Sequence, residues 1–148
     1  IPNGSFEGTP KADSAPEGWT GCGFNSTPDL LPGPWGVTLL AADGDSYIGL
    51  TAREDKTYES ISCKLSNPLK KDSCYSFKVQ LSRSMAYVGY NGAGCFRIWG
   101  CKKSCEKVQM LAASGPIAHY NWKSYGFSFI AKDNFDYLVI ECYYKTPS

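Results

Sequence analysis

Two groups of residues in this chain have the types and the spacing to do chemistry. The first is a lone carboxylate in an apolar setting. Glu141 sits inside residues 137–144, a run of aromatic and branched side chains with little polar relief. An ionised carboxylate there is costly unless it pairs with a cation or coordinates a metal. The expectations are a bound cation, an arginine partner such as Arg53 or Arg83, or a strand edge wet enough to hydrate it. The second group is a platform. In Cys95-Phe96-Arg97-Ile98-Trp99, alternation that turns Phe96 and Ile98 inward turns Arg97 and Trp99 outward together. The preceding strand sends Ser76, Lys78 and Gln80 outward. If Ser82 to Gly94 connects the two, their outward rows lie side by side, walled by Tyr87 and Tyr90 of the connection. A flat indole ringed by hydrogen-bonding side chains suits a sugar, whose C–H face stacks and whose hydroxyls need partners. The competing reading packs Trp99 beneath the loop between Cys101 and Cys105. Trp35, between Pro34 and Gly36 in a rigid turn, is either a second, preorganised stacking surface or a cap on one end of the fold. Trp19 and Trp122 read as structural.

Other chemistry is poorly served. Glycoside hydrolysis needs two opposed carboxylates about 5–10 Å apart. Glu17, Asp29, Glu54 and Asp55 all lie in polar loops, where charges are simply hydrated. His119 is the only histidine, there is no G-x-S-x-G turn, and Ser114-Gly115 reads as a turn signal. No catalytic residue is assigned, and the chain is expected not to be an enzyme. Seven cysteines point to an oxidising compartment and disulfides, with at least one thiol left over or paired between molecules. Cys101 and Cys105 flank a short loop they could close, Cys22 could reach a neighbouring loop, and Cys63 reads as a buried thiol. A zinc site is disfavoured, because Cys95, Cys101 and Cys105 lack a second close cluster.

The elements that must position these residues are strands. A chain of 148 residues fits one domain, residues 1–148, with a real core. Cys74–Leu81 alternates Tyr75, Phe77, Val79 and Leu81 with polar residues, and residues 123–129 do the same with Tyr125, Phe127 and Phe129. Residues 59–65 alternate more weakly, with Ile61, Cys63 and Leu65 inward. Residues 137–144 are apolar enough for both faces to be covered. Further strands are expected at residues 4–7, 36–40, 47–50, 95–100 and 108–112, with Gly, Pro, Asn and Asp between them. No segment has sustained helical periodicity. The expected fold is all-β, two packed antiparallel sheets forming a sandwich or jelly roll. Scattered charge with a net of +1 argues against nucleic acid. No run approaches the roughly 18 apolar residues of a membrane helix. The sequence shows neither an initiating Met nor a signal peptide, so it is expected to be a processed product or excised module.

Asn3-Gly4-Ser5-Phe6-Glu7, Pro16-Glu17-Gly18-Trp19, Asp43-Gly44-Asp45-Ser46-Tyr47-Ile48-Gly49-Leu50, Asn67-Pro68-Leu69 and Cys74-Tyr75-Ser76-Phe77 together resemble carbohydrate-binding jelly rolls of the galactose-binding-like superfamily. The resemblance extends to modules of secreted and surface proteins of Bacteroidetes-type bacteria. It implies one structural calcium where the first and last strands meet, held by Glu7, Asp43 or Asp45, and Glu141. Calcium takes six to eight oxygens, so such a set would pin the termini. It further implies a secreted or cell-surface, non-catalytic, monomeric module of a larger protein. Its partner would be a polysaccharide, in particular a plant cell-wall glycan, and an attached enzyme would gain local substrate by tethering. The alternative is a protein-interaction or spacer module of a surface adhesion or gliding protein, since one fold serves both.

Overall fold

Alternation decides the longest strands. The computed structural model describes residues 3–23, 28–52, 58–84 and 93–144. Within them run β1 (Trp19–Gly21), β2 (Asp29–Leu31), β3 (Tyr47–Gly49), β4 (Ser60–Leu69), β5 (Cys74–Leu81), β6 (Cys95–Cys101), β7 (Lys107–Ala113), β8 (Lys123–Ile130) and β9 (Phe135–Tyr143). The fold is all-β, as the sequence predicts, and all described pairings are antiparallel. Among the described residues the one helical element is a single 3-10 turn, Pro34–Gly36.

One layer is a five-stranded sheet in the order β1-β4-β9-β6-β7. β9 is central, which is why its sequence is apolar on both faces. Leu138 packs into the main core, and Val139 on the opposite face is buried under a second cluster. The other layer is in two pieces, β2–β3 and β5–β8. The face of β5–β8 bearing Tyr75, Phe77, Val79, Phe127 and Phe129 packs onto Ile61, Cys63, Leu65, Phe96, Ile98 and Leu138 of the large sheet. Phe96 meets Phe127 across the layers with ring centroids 6.0 Å apart, and Phe77 stacks on Phe127 at 5.2 Å. Such pairs add about 0.5–1.5 kcal/mol beyond area burial. Phe135 fills the space over Gly100, where any Cβ would stand 2.6 Å from its ring.

Two expected strands are absent. Residues 4–7 form a turn, because the Asn3 side chain captures both backbone groups of Glu7: Glu7 N–H donates to Asn3 Oδ1 at 2.9 Å, and Asn3 Nδ2 donates to the Glu7 carbonyl at 3.1 Å. A local side-chain bond of this kind competes directly with a ladder. Residues 36–40 follow a turn in which Gly33, Trp35 and Gly36 all have positive φ, and they pair with no strand. Val37 is nonetheless buried, with Leu31 and Tyr47. β1 and β2 were not expected; at three residues each they are too short to show a period. Trp19 and Trp122 are structural. Trp19 is buried in the main core, and Trp122 packs edge-on against Tyr47 at 5.0 Å while donating to the Leu40 carbonyl.

Candidate functional site

The split second layer creates a cavity. β3 pairs only with β2, and β5 only with β8, among the described residues. Between β3, β5 and the large sheet a cavity of about 910 Å³ remains. Its walls are mainly apolar. Trp19, Ile61, Ile98 and Leu138 come from the large sheet, Ile48 from β3 and Phe77 from β5. Lys78, Gln80 and Asp43 also border it but are exposed, so the charges sit at its rim. Arg83 lies there too, with its guanidinium 5.0 Å from the Tyr120 ring.

The opposite face of the large sheet is closed. Glu141 on β9 is 1 % exposed and lies between Arg97 of β6 and Lys107 of β7, ion-paired to both, and it accepts from Trp99 Nε1 at 3.3 Å. The Arg97 guanidinium is also 4.2 Å from the Tyr143 ring and 5.3 Å from that of Trp99. Cys22 and Cys105 form a disulfide that draws the β6–β7 loop across this face, and Cys105 N–H donates to Ser62 Oγ at 3.3 Å. Trp99 packs under that loop with Cys22, Cys101 and Val139.

The expected platform is therefore not assembled. Arg97 and Trp99 do share one face, as alternation predicts. Lys78 and Gln80 belong to the other layer, because β5 pairs with β8 while β6 pairs with β7 and β9. The connection from β5 to β6 crosses between layers, a choice that alternation cannot encode. Tyr87 and Tyr90 lie outside the described residues, as does Arg53. Of the two alternatives for Trp35, an exposed surface or a packed cap, its exposure of 50 % fits the first, and its φ is left-handed at 59°. Its Nε1 donates to Asp29 Oδ1 at 3.1 Å, which holds the ring in place.

The four expected calcium ligands are not brought together either. Glu7 lies against Gly44, with both carboxylate oxygens accepting from Asp45 N–H at 3.1 Å, while Asp43 and Asp45 are exposed. Glu141 is neutralised by two cations instead, one of them an arginine other than the two expected. Among the described residues no group of three His, Cys, Asp or Glu side chains is placed to hold a metal. This donor set does not fit the calcium site implied by the resemblance. Calcium at a hundredfold excess over its Kd would add about 2.7 kcal/mol of stability. The expected result is coincident thermal melts in calcium and in chelator; a rise of several degrees with calcium would restore a site at the Glu7 turn.

Three of the five free thiols are muted by burial, whereas Cys74 is exposed. Burial pushes the Cys63 and Cys101 thiols up to about 11 and Cys142 up to about 12, so none is a thiolate at neutral pH. Cys63 is buried in the core as expected, whereas the pairing of Cys101 with Cys105 is replaced by Cys22–Cys105. His119 Nδ1 donates to the Asn121 carbonyl at 2.7 Å, and its Nε2 shares a hydrogen with Tyr125 Oη at 2.6 Å, which leaves no ring nitrogen for Ser114.

Neither a family model nor a curated protein matches this chain. Among solved structures it is similar to a cyclase from Fischerella sp. TAU in complex with 4-(1H-indol-3-yl)butan-2-one, at 17 % identity and a TM-score of 0.57. The match covers 90 % of this chain and 78 % of that one. The likeness is one of fold. The disulfide is consistent with an extracellular location, and among the described residues no helix is long and apolar enough to cross a membrane.

The cavity itself was not foreseen. Alternation places Phe77, Val79, Ile61 and Ile98 on inward faces, but inward faces normally close on one another. The only sequence signal was the shortness of the apolar run at residues 47–50, which limits how much of the second layer β3 can fill.

Proposed function

We propose that this domain binds a compact, largely apolar small molecule in the cavity between its layers, without turning it over. The observation that carries this reading is a 910 Å³ cavity with aromatic and aliphatic walls and a charged rim. Ligand sites are typically about 300–1,000 Å³, mainly apolar, with a few placed polar groups. The cyclase of similar fold was solved with an indole ketone, a molecule of suitable size and polarity for such a space. Binding without catalysis is favoured by His119, whose two ring nitrogens are both engaged within the fold. The Cys22–Cys105 disulfide is consistent with an extracellular setting, and a secreted or surface module is part of the proposal.

Ile48→Trp fills the cavity from β3. Titration calorimetry with 4-(1H-indol-3-yl)butan-2-one is expected to give heat with the wild type and none with this variant, provided circular dichroism shows both folded. Equal binding by the two proteins would sink the cavity reading.

Polysaccharide binding is the second reading, and Trp35 favours it. A half-exposed indole held in a left-handed backbone is a cost the fold carries, and such strain concentrates at functional positions. Retardation on a polysaccharide gel that disappears in Trp35→Ala would favour glycan over the small apolar ligand.

A further inference from the structure

Among the described residues the split second layer leaves one strand edge that is long, regular and uncovered. Ala131 N–H donates to the Ser73 carbonyl at 3.1 Å, immediately beyond the paired residues Cys74 and Ile130. That bond fixes the phase of the β5–β8 ladder. Tyr75, Phe77 and Val79 exchange backbone bonds with β8, and the N–H and C=O groups of Ser76, Lys78 and Gln80 point to the opposite edge. β8 shows the same phase, since its Ile130 carbonyl turns away from β5 and accepts from Gln109 Nε2 at 3.1 Å. Among the described residues β5 pairs with β8 alone, which leaves its outer edge without a ladder. Ser76, Lys78 and Gln80 are exposed, and all three border the cavity. Phe77 and Val79 turn into the core, so the side chains of these three stand on the other face, and it is their main chain that meets the cavity.

A free edge is a template for pairing with another chain, and folds usually blunt it. The other edges here are blunted. β1 and β3 are three residues long, and β2 is bonded through Leu30 to Lys11. The β6–β7 ladder shifts register twice, and the Gln109 side chain occupies the end of β8 by bonding both the Ile130 carbonyl and Lys132 N–H. β5 runs eight residues in unbroken register with β8 and contains no proline. Its free groups repeat about every 6.8 Å, two residues of strand rise, a period that another extended backbone matches. A chain laid along this edge turns every second side chain toward the apolar floor of Ile61, Ile98 and Leu138. We infer that β5 binds a short extended peptide along its free edge, with alternate apolar side chains of the peptide filling the cavity. This inference rests on the cavity reading above and names its ligand class as a free apolar peptide. A capped tripeptide, about 10 Å long when extended, reaches two of the three free residues.

The test uses two probes with the same side chains, acetyl-leucyl-seryl-leucinamide and its fully N-methylated analogue, which cannot donate to a strand edge. Calorimetry on the intact chain is expected to show the wild type preferring the unmethylated peptide by at least about tenfold, the worth of one hydrogen bond. Lys78→Pro removes an edge N–H without touching the β5–β8 ladder, a placement in which proline is tolerated. It is expected to lose that preference, whereas Lys78→Ala, which keeps the main chain, retains it. Hydrogen exchange followed by NMR needs no substitution and decides the matter if Lys78→Pro fails to fold. The Ser76, Lys78 and Gln80 amides should exchange fast in the free protein, and at least one of them about tenfold more slowly with the tripeptide bound, while Phe77 and Val79 stay slow in both states. Equal affinity for the two probes, loss of the preference in Lys78→Ala, or unchanged exchange at all three edge amides would overturn the strand-edge inference. No heat with the tripeptide, but heat with 4-(1H-indol-3-yl)butan-2-one that Ile48→Trp abolishes, overturns the peptide and leaves the cavity reading standing. No heat with any of the three compounds sinks both.

Discussion

Arg97→Met should lower the stability of this domain by about 3 kcal/mol, the low end for breaking a buried ion pair by removing one partner. Glu141 is 1 % exposed and cannot turn to water, so the loss of Arg97 leaves its charge half-compensated in a closed site. For a domain of this size the melting temperature should drop by roughly 10 °C. Lys107→Met should cost less, because the Lys107 side chain is 35 % exposed against 22 % for Arg97, and solvent already screens its pair. The combination Arg97→Met with Glu141→Leu should recover most of the loss, since a well-packed apolar replacement of a buried pair is often neutral. Thermal melts of the three variants decide this. A double variant less stable than Arg97→Met alone would show that Glu141 contributes by some other route.

Cutting the Cys22–Cys105 bridge should be at least as damaging. The bridge spans 83 residues of sequence and joins the end of β1 to the β6–β7 loop over the outer face of the large sheet. Chain entropy alone assigns a loop of that length about 4.5 kcal/mol, and native bridges typically give 2–5. Cys22→Ala with Cys105→Ala, or reduction of the wild type, should therefore lower the melting temperature by roughly 10 °C or more. Trp99 should become more exposed as well, because the loop that covers it is released. A red shift in tryptophan emission that precedes unfolding would report this. Unchanged stability in reductant would mean that the loop is held without the bridge.

The two effects act on one face, and that bears on function. The outer face of the large sheet is stapled by a covalent bond and filled by an ion-pair cluster. The inner space between the layers is left open. The incomplete packing lies between the layers, where the proposed ligand would sit, and Arg97 and Trp99 lie on the opposite face of the large sheet. Variants on the closed face should alter melting without altering the affinity of a cavity ligand, except through loss of fold.

What a residue pattern can state, this sequence stated. Alternation at 74–81, 95–100 and 123–129 set the strands and their inward faces, because side-chain direction in a strand is a local property of the backbone. The apolar run around Glu141 marked a central strand, and it marked Glu141 as needing a partner, since a buried charge must be compensated wherever it sits. The abundance of cysteine announced a disulfide. Other features depended on which strands meet. Glu141 found Arg97 and Lys107 because β9 lies beside β6, and β6 beside β7; no spacing along the chain encodes that order. Lys78 and Gln80 parted from Arg97 and Trp99 because one connection changed layers. Cys22 reached Cys105 because β1, β6 and β7 belong to one sheet, whose outer face the β6–β7 loop crosses. The cavity lies where the two pieces of the second layer, β2–β3 and β5–β8, do not pair with each other among the described residues. Pattern fixes the direction of each side chain locally, whereas the space left between distant segments is settled by tertiary packing alone.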